Sequence, residues 1–168
     1  KVPGTIVKEE KKVEKMVVRG VARDNDVARI AIMGVKDEPG IAFRIFSLLS
    51  KHKINVDIIL QSIGRDNSKD ITFTVSQDNR ADAVAVIEGL KDSLAFKEVT
   101  FDEGVSKVSI VGAGMESNPG VAAKMFEALF DAGINIRMIS TSEIKVSVLI
   151  DEKFADAAVS AVHDKFVN

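Results

Sequence analysis

Apolar positions recur along this chain first with a period of two, then with a period of about 3.6, and the same succession occurs in each half. Ile30 and Ile32 alternate with Arg29, Ala31 and Met33, the pattern of a strand with one buried face. Ile41, Ile45, Leu48 and Leu49 then fall at i, i+4, i+7 and i+8 on one face of a helix, which Phe43 and Phe46 widen. Ile54–Gln61 predicts a second strand. A polar turn, Gly64–Lys69, carries Asp66-Asn67. Ile71, Phe73 and Val75 alternate with Thr72, Thr74 and Ser76 in a third strand. Ala81, Val84, Ile87 and Leu90 suit a second helix, and Phe96–Phe101 a fourth strand. The order β-α-β-β-α-β is that of a ferredoxin-like unit.

The second half repeats this. Val108 and Ile110 correspond to Ile30 and Ile32, and Val121, Met125, Ala128 and Leu129 repeat the helix spacing. Gly133 suits the left-handed position that ends a helix. Ile134–Ser140 and Glu143–Ile150 predict two strands joined by a tight connection, and Phe154, Ala157, Ala158, Ala161 and Val162 a closing helix. This half lacks a fourth strand of its own. The β-favouring run Met16–Ala22, with no local partner, either fills that place or serves as a strap between domains. The expected fold is therefore α+β: two ferredoxin-like units with antiparallel sheets and helices on one face. The first domain spans 24–102 and is nested within a second built from 16–23 and 103–168; residues 1–15, charged and carrying Pro3-Gly4, read as a linker or tail.

Composition narrows the chemistry. The 168 residues are 46% hydrophobic and 29% charged, enough for a real core, yet nine Phe are the only aromatics, so Ile, Val, Leu and Ala must fill it. A net charge of −2 with signs interspersed argues against nucleic-acid or polybasic membrane partners. Without cysteine there is no disulfide, thiolate metal site or Cys nucleophile. His52 and His163 are isolated, no nucleophile–base or acid–base pair stands out, and no cofactor or metal is expected. With no apolar run of membrane-spanning length and no leader-like start, the sequence reads as cytoplasmic, and its first residue, Lys1, suggests a fragment or a processed product.

The candidate chemistry lies in two loops, Gly34–Ala42 and Gly112–Ala122, each ending in Pro-Gly ahead of a helix. A helix N-terminus offers unpaired N–H groups and partial positive charge, and glycine lets an anion approach the backbone. Pro39 is expected at the first helical position and Asn118 as the cap of the second helix. No GxxxxGK[ST] accompanies either loop, and Gly112-Ala113-Gly114 lacks dinucleotide spacing. Asp37 beside the amides is odd for a pure anion but suits a zwitterion, carboxylate to the amides and ammonium to Asp37, and so a free amino acid. The plainer alternative is that Asp37-Glu38 merely starts a helix. Ser117 replaces Asp37 in the second loop, so that loop binds differently, weakly or not at all. Gln61, Ser62, Ser140, Thr141 and Ser142, near the ends of second strands, are further possible contacts.

Five segments carry a resemblance: Met16–Arg23, Asp37-Glu38-Pro39-Gly40-Ile41-Ala42, Ile54–Gln61, Ser117-Asn118-Pro119-Gly120-Val121, and Ile139-Ser140-Thr141-Ser142-Glu143-Ile144. Together they are similar to the regulatory region of aspartate kinases, a pair of ACT domains made in some bacteria as a separate small subunit. The resemblance implies a chain that is not an enzyme by itself. Such a chain pairs with a second copy through its ACT domains, works with a kinase catalytic subunit or domain, and binds threonine, lysine or both in feedback inhibition. It further implies that Asp37 holds the effector ammonium, that Gly40, Ile41 and Ala42 meet its carboxylate, that Gln61 contacts it, and that Asn135 and Ile136 of the partner close the site. A second site would use Met115, Ser117, Asn118, Gly120, Val121 and Ala122, with Asn55, Val56, Ser140, Thr141 and Ser142. The rival readings are an ACT sensor of another enzyme or regulator, a ligand-free dimerisation module, and a ferredoxin-like RNA-binding module. The last needs exposed sheet aromatics, where this chain offers Phe73 alone.

Overall fold

The computed structural model describes residues 20–64, 66–112 and 120–167. Within them Asp26–Val105 forms one compact unit, and the described residues on either side of it form the other.

In the Asp26–Val105 unit, β2 (Ala28–Lys36) leads into α1 (Ile41–Lys51), then β3 (Ile59–Ile63), β4 (Ser68–Val75), α2 (Arg80–Glu88), the single turn α3 (Lys91–Leu94) and β5 (Glu98–Asp102). The sheet order is β3-β4-β2-β5, antiparallel throughout. Ile30 and Ile32 of β2 meet Ile71 and Phe73 of β4, Ile45 and Leu49 of α1 and Ile87 of α2 in one core. Each such side chain contributes about 1.5–3 kcal/mol by leaving water. Phe46 reaches the same core and meets Phe73 edge-on, ring centroids 5.5 Å apart.

The other unit holds β1 (Gly20–Asp24), β6 (Val105–Val111), α4 (Gly120–Asp131), β7 (Met138–Thr141), β8 (Lys145–Asp151) and α5 (Ala155–Val167), in sheet order β1-β6-β8-β7. β1 runs antiparallel to β6, Ala22 opposite Ser109, in the sheet place that β5 takes beside β2. The part of the predicted run before Gly20 lies outside the described residues. Val108, Ile110, Met125, Leu129, Val148 and Val162 fill this core.

Both units are thus α+β with four-stranded antiparallel sheets. Several local expectations need correction. Phe43 is 75% exposed, because two residues after Ile41 a helix has turned about 200° and the ring faces water. The segment after α1 does not join the regular ladder until Ile59, since just before it Asp57 and Ile58 both bond to one residue of β4, Asp57 N–H to Thr74 O and Thr74 N–H to Ile58 O, each 3.0 Å. The last strand of that unit starts at Glu98, and in the other unit the strand predicted from Ile134 starts at Met138, each later than its apolar run predicted. In the last helix Ala155, Ala158 and Val162 face the core, whereas Ala157 is exposed; Phe154, also exposed, precedes the helix rather than joining it. In α2 the buried positions are Ala83 and Ile87, and Ala81 is exposed.

The helices α1 and α4 end alike. Ile54 N–H reaches Leu49 O (3.0 Å) and Ile134 N–H reaches Leu129 O (2.9 Å), each closing a left-handed turn. Gly133 takes that turn at φ 72°, but Lys53 must take it at φ 59° with a side chain. Lys53→Gly is therefore expected to raise stability by about 0.5–1 kcal/mol, read from the urea midpoint; an unchanged or lower midpoint would contradict the account.

α4 and α5 are joined by an exposed ion pair, Glu127 with Lys165. The hydrogen bond and attraction from Lys165 lower the Glu127 carboxyl, and the hydrogen bond from Glu127 raises the Lys165 ammonium. The Glu127 part of the stabilisation is present above the ordinary carboxylate range and is lost as pH falls through its lowered value. The Lys165 part is present below the ordinary lysine range and is lost as pH rises through its raised value. Comparing Glu127→Gln with the native chain should thus show a small, salt-sensitive difference in melting temperature near neutral pH that vanishes in acid.

Candidate functional site

The first loop is shaped by an irregularity at the end of β2. Register with β4 shifts between Ile32 and Val35, where Gly34 sits at φ 72° and its N–H bonds Asp70 Oδ1 at 2.9 Å. Beyond the bulge Val35 pairs with Lys69 and Lys36 with Ser68. Asp37 N–H then bonds Asn67 O (3.0 Å), and Glu38 N–H reaches back to Lys36 O (3.1 Å). The loop is therefore held by the β3–β4 turn, itself closed by Gly64 N–H to Ser68 O (2.6 Å). In that turn Ser68 Oγ donates to Asp66 Oδ1, which lowers the Asp66 carboxyl.

At its far end the loop delivers Gly40 as the N-cap of α1, at φ 90°. Pro39 thus precedes the cap rather than occupying the first helical position. Only glycine adopts Gly40's conformation freely, and a Cβ placed there would meet nothing within 4 Å. No side chain caps α1 and its first turn holds no acid. The N–H groups at the head of α1 therefore carry uncompensated partial positive charge beside open space, which favours an anion.

Asp37 is the acid next to that helix end. Its side chain is 52% exposed, and its Oδ1 lies 3.5 Å from Nζ of Lys69, whose side chain is 8% exposed. One half-exposed carboxylate, one buried ammonium and one bare helix terminus thus share the loop. Such a set offers a carboxylate a partner at the helix and an ammonium a partner at Asp37.

Asp37, Gly40, Ile41 and Ala42 come together at this loop, with Ile41 buried and Ala42 exposed. Gln61 lies exposed on edge strand β3 opposite Ile71, two residues from the ladder end at Ile63 and Lys69. Asn55 and Val56 lie between α1 and β3, Asn exposed and Val packed on the core; Asn135 and Ile136 occupy the like place between α4 and β7. In the second loop Met115, Ser117 and Asn118 lie outside the described residues, as does the expected Asn118 cap. Gly120 opens α4, and Val121 and Ala122 are half-buried against its core. Ser140 and Thr141 end β7, and Ser142 N–H bonds Lys145 O (2.7 Å) in the tight turn to β8. Ser62 is exposed on β3.

Asn67 and Lys69 read in the sequence only as parts of a polar turn, and Asp70 went unnoticed. Lys69 could have been found, since it lies in phase with Ile71, Phe73 and Val75, where alternation puts a charge on the core side. Among the described residues no cluster of His, Cys, Asp or Glu could hold a metal, and no helix is long and apolar enough to cross a membrane.

Both units match family models for the ACT domain, over residues 29–92 and 108–166. An aspartate kinase of Stutzerimonas stutzeri is 45% identical over 166 residues, covering 98% of this chain and 40% of that protein. Among solved structures, the regulatory subunit of aspartate kinase from Thermus thermophilus in its ligand-free form superposes with TM-score 0.84 at 41% identity, over 89% of this chain and 99% of that one. A chain from the structure of aspartokinase alpha and beta subunits gives TM-score 0.83 at 43% identity, over 90% of this chain and 99% of that one. By fold and repeat this is a paired ACT-domain protein. It belongs to the aspartokinase family, as the regulatory part. The chain spans 40% of the length of such a curated relative, and its two matched segments are both ACT domains.

The left-handed cap gives a direct test of the loop. Gly40→Ala should cost about 1–2 kcal/mol through strain alone, read from the urea midpoint; a change within error would show that α1 starts with another geometry.

Proposed function

We propose that this chain is the effector-binding regulator of an aspartate kinase, taking threonine or lysine, threonine first, and relaying feedback inhibition of aspartate-family amino-acid synthesis. The observation that carries the reading is the Asp37 carboxylate, half exposed beside the uncapped start of α1, in a chain of this family. A zwitterion satisfies both: its carboxylate takes the N–H groups of Gly40, Ile41 and Ala42, and its ammonium takes Asp37. Gln61 contacts the ligand from the neighbouring strand. Asn135 and Ile136 of a second copy of the chain close the site, so effector binding and pairing of two chains are linked.

A second site is built from Met115, Ser117, Asn118, Gly120, Val121 and Ala122, with Asn55, Val56, Ser140, Thr141 and Ser142. With Ser117 in the place of Asp37 it holds an ammonium less well. Inhibition follows as a population shift: the effector binds one arrangement of the paired regulatory units more tightly, and the associated kinase part is less active in that arrangement. The chain acts in the cytoplasm and needs no cofactor.

Calorimetry on the 168-residue chain tests this. Threonine should bind, and Asp37→Ala should weaken that binding about tenfold or more, the worth of a charged hydrogen bond. No heat with either threonine or lysine would sink the proposal. Self-association that is identical with and without threonine would favour a ligand-free dimerisation module.

A further inference from the structure

Lys69 projects from β4 in phase with Ile71, Phe73 and Val75, yet it is a cation and only 6% exposed. Charge that far from water is costly unless it is paired. Among the described residues its ion-pair partner is Asp37, at 3.5 Å. The pair is lopsided: Lys69 comes from the interior, whereas the Asp37 side chain is 52% open to solvent. The backbone on both sides of the pair is fixed. Val35 and Lys69 are partners in the ladder, Asp37 N–H is bonded to Asn67 O, and Gly34 N–H to Asp70. Lys69 therefore cannot follow the loop, nor the loop drift from Lys69, without breaking this ladder end.

We infer that Lys69 is a positioning residue for Asp37: its buried ammonium draws the carboxylate inward from beneath and leaves the outer side for a ligand's cation. Asp37 in turn is the counter-charge that lets a lysine stand in the core-facing row of β4. As far as the ligand is concerned, this rests on the function proposed above. The pairing itself does not, and it means that removing Asp37 strips a ligand contact and orphans a buried cation at once.

A double-mutant cycle on the 168-residue chain separates these effects. Asp37→Asn should lower Tm by about 4–8 °C, and adding Lys69→Met should recover most of that loss. With Asp37 in place, Lys69→Met should weaken threonine binding about three- to tenfold, as expected for one lost charge pair. Lys69→Arg, which restores a cation, should bind within about threefold of the native chain. A general packing defect at this position would not be mended by the larger Arg side chain. Additive Tm changes, threonine affinity unchanged or raised in Lys69→Met, or equal losses in the Met and Arg variants would each overturn the positioning role. If the native chain binds neither amino acid, the function proposed above fails while the Tm cycle alone still decides the pairing.

Discussion

Each unit depends on the backbone of one central strand being hydrogen-bonded along both edges. A buried strand cannot leave its N–H and C=O groups unpaired without a cost comparable to a lost hydrogen bond at each group. β2 meets this need with β4 on one side and β5 on the other; β6 meets it with β8 and with β1, which precedes the Asp26–Val105 unit in the chain. Ile30 and Ile32 in one sheet and Val108 and Ile110 in the other are then fixed toward their helices, because strand pairing sets which face each side chain takes.

From these central strands the loops inherit their geometry. β2 runs out in a bulge at Gly34, and the chain leaves the sheet pinned to the β3–β4 turn through Asn67 O. Gly40 reverses into α1 with its first N–H groups open. The loop is thus held at three points before any ligand arrives, so a ligand need not order it first, a cost that commonly erodes affinity. The Asp37–Lys69 pair belongs to the same scaffold. It ties the loop's charge to the core-facing row of β4 and couples the loop's chemistry to the unit's stability.

Much of this was legible in the sequence because the signals are local. Period-two and period-3.6 apolar spacing found the strands and helices, and the repeated Pro-Gly loops found the repeat. Positive φ at Gly133 followed from its place after an apolar helix. Asp37 stood out because an acid beside a helix start needs a reason. Strand ends were less legible. The stretch from Ile54 to Ile58 is as apolar as a strand, but the regular ladder with β4 begins only at Ile59, because Asp57 and Ile58 both bond to the one residue Thr74.

By itself, then, the sequence determined the fold class, the two-fold repetition and the loops worth examining, since each of these is written in neighbouring residues. Only the tertiary structure decided what Gly20–Asp24 pairs with, which the sequence left open between a strap and a strand. It alone also revealed that Lys69, to all appearance the tail of a polar turn, is buried against Asp37. Both depend on residues far apart in the chain, and no local pattern encodes which distant backbone edge or which distant charge a segment will meet.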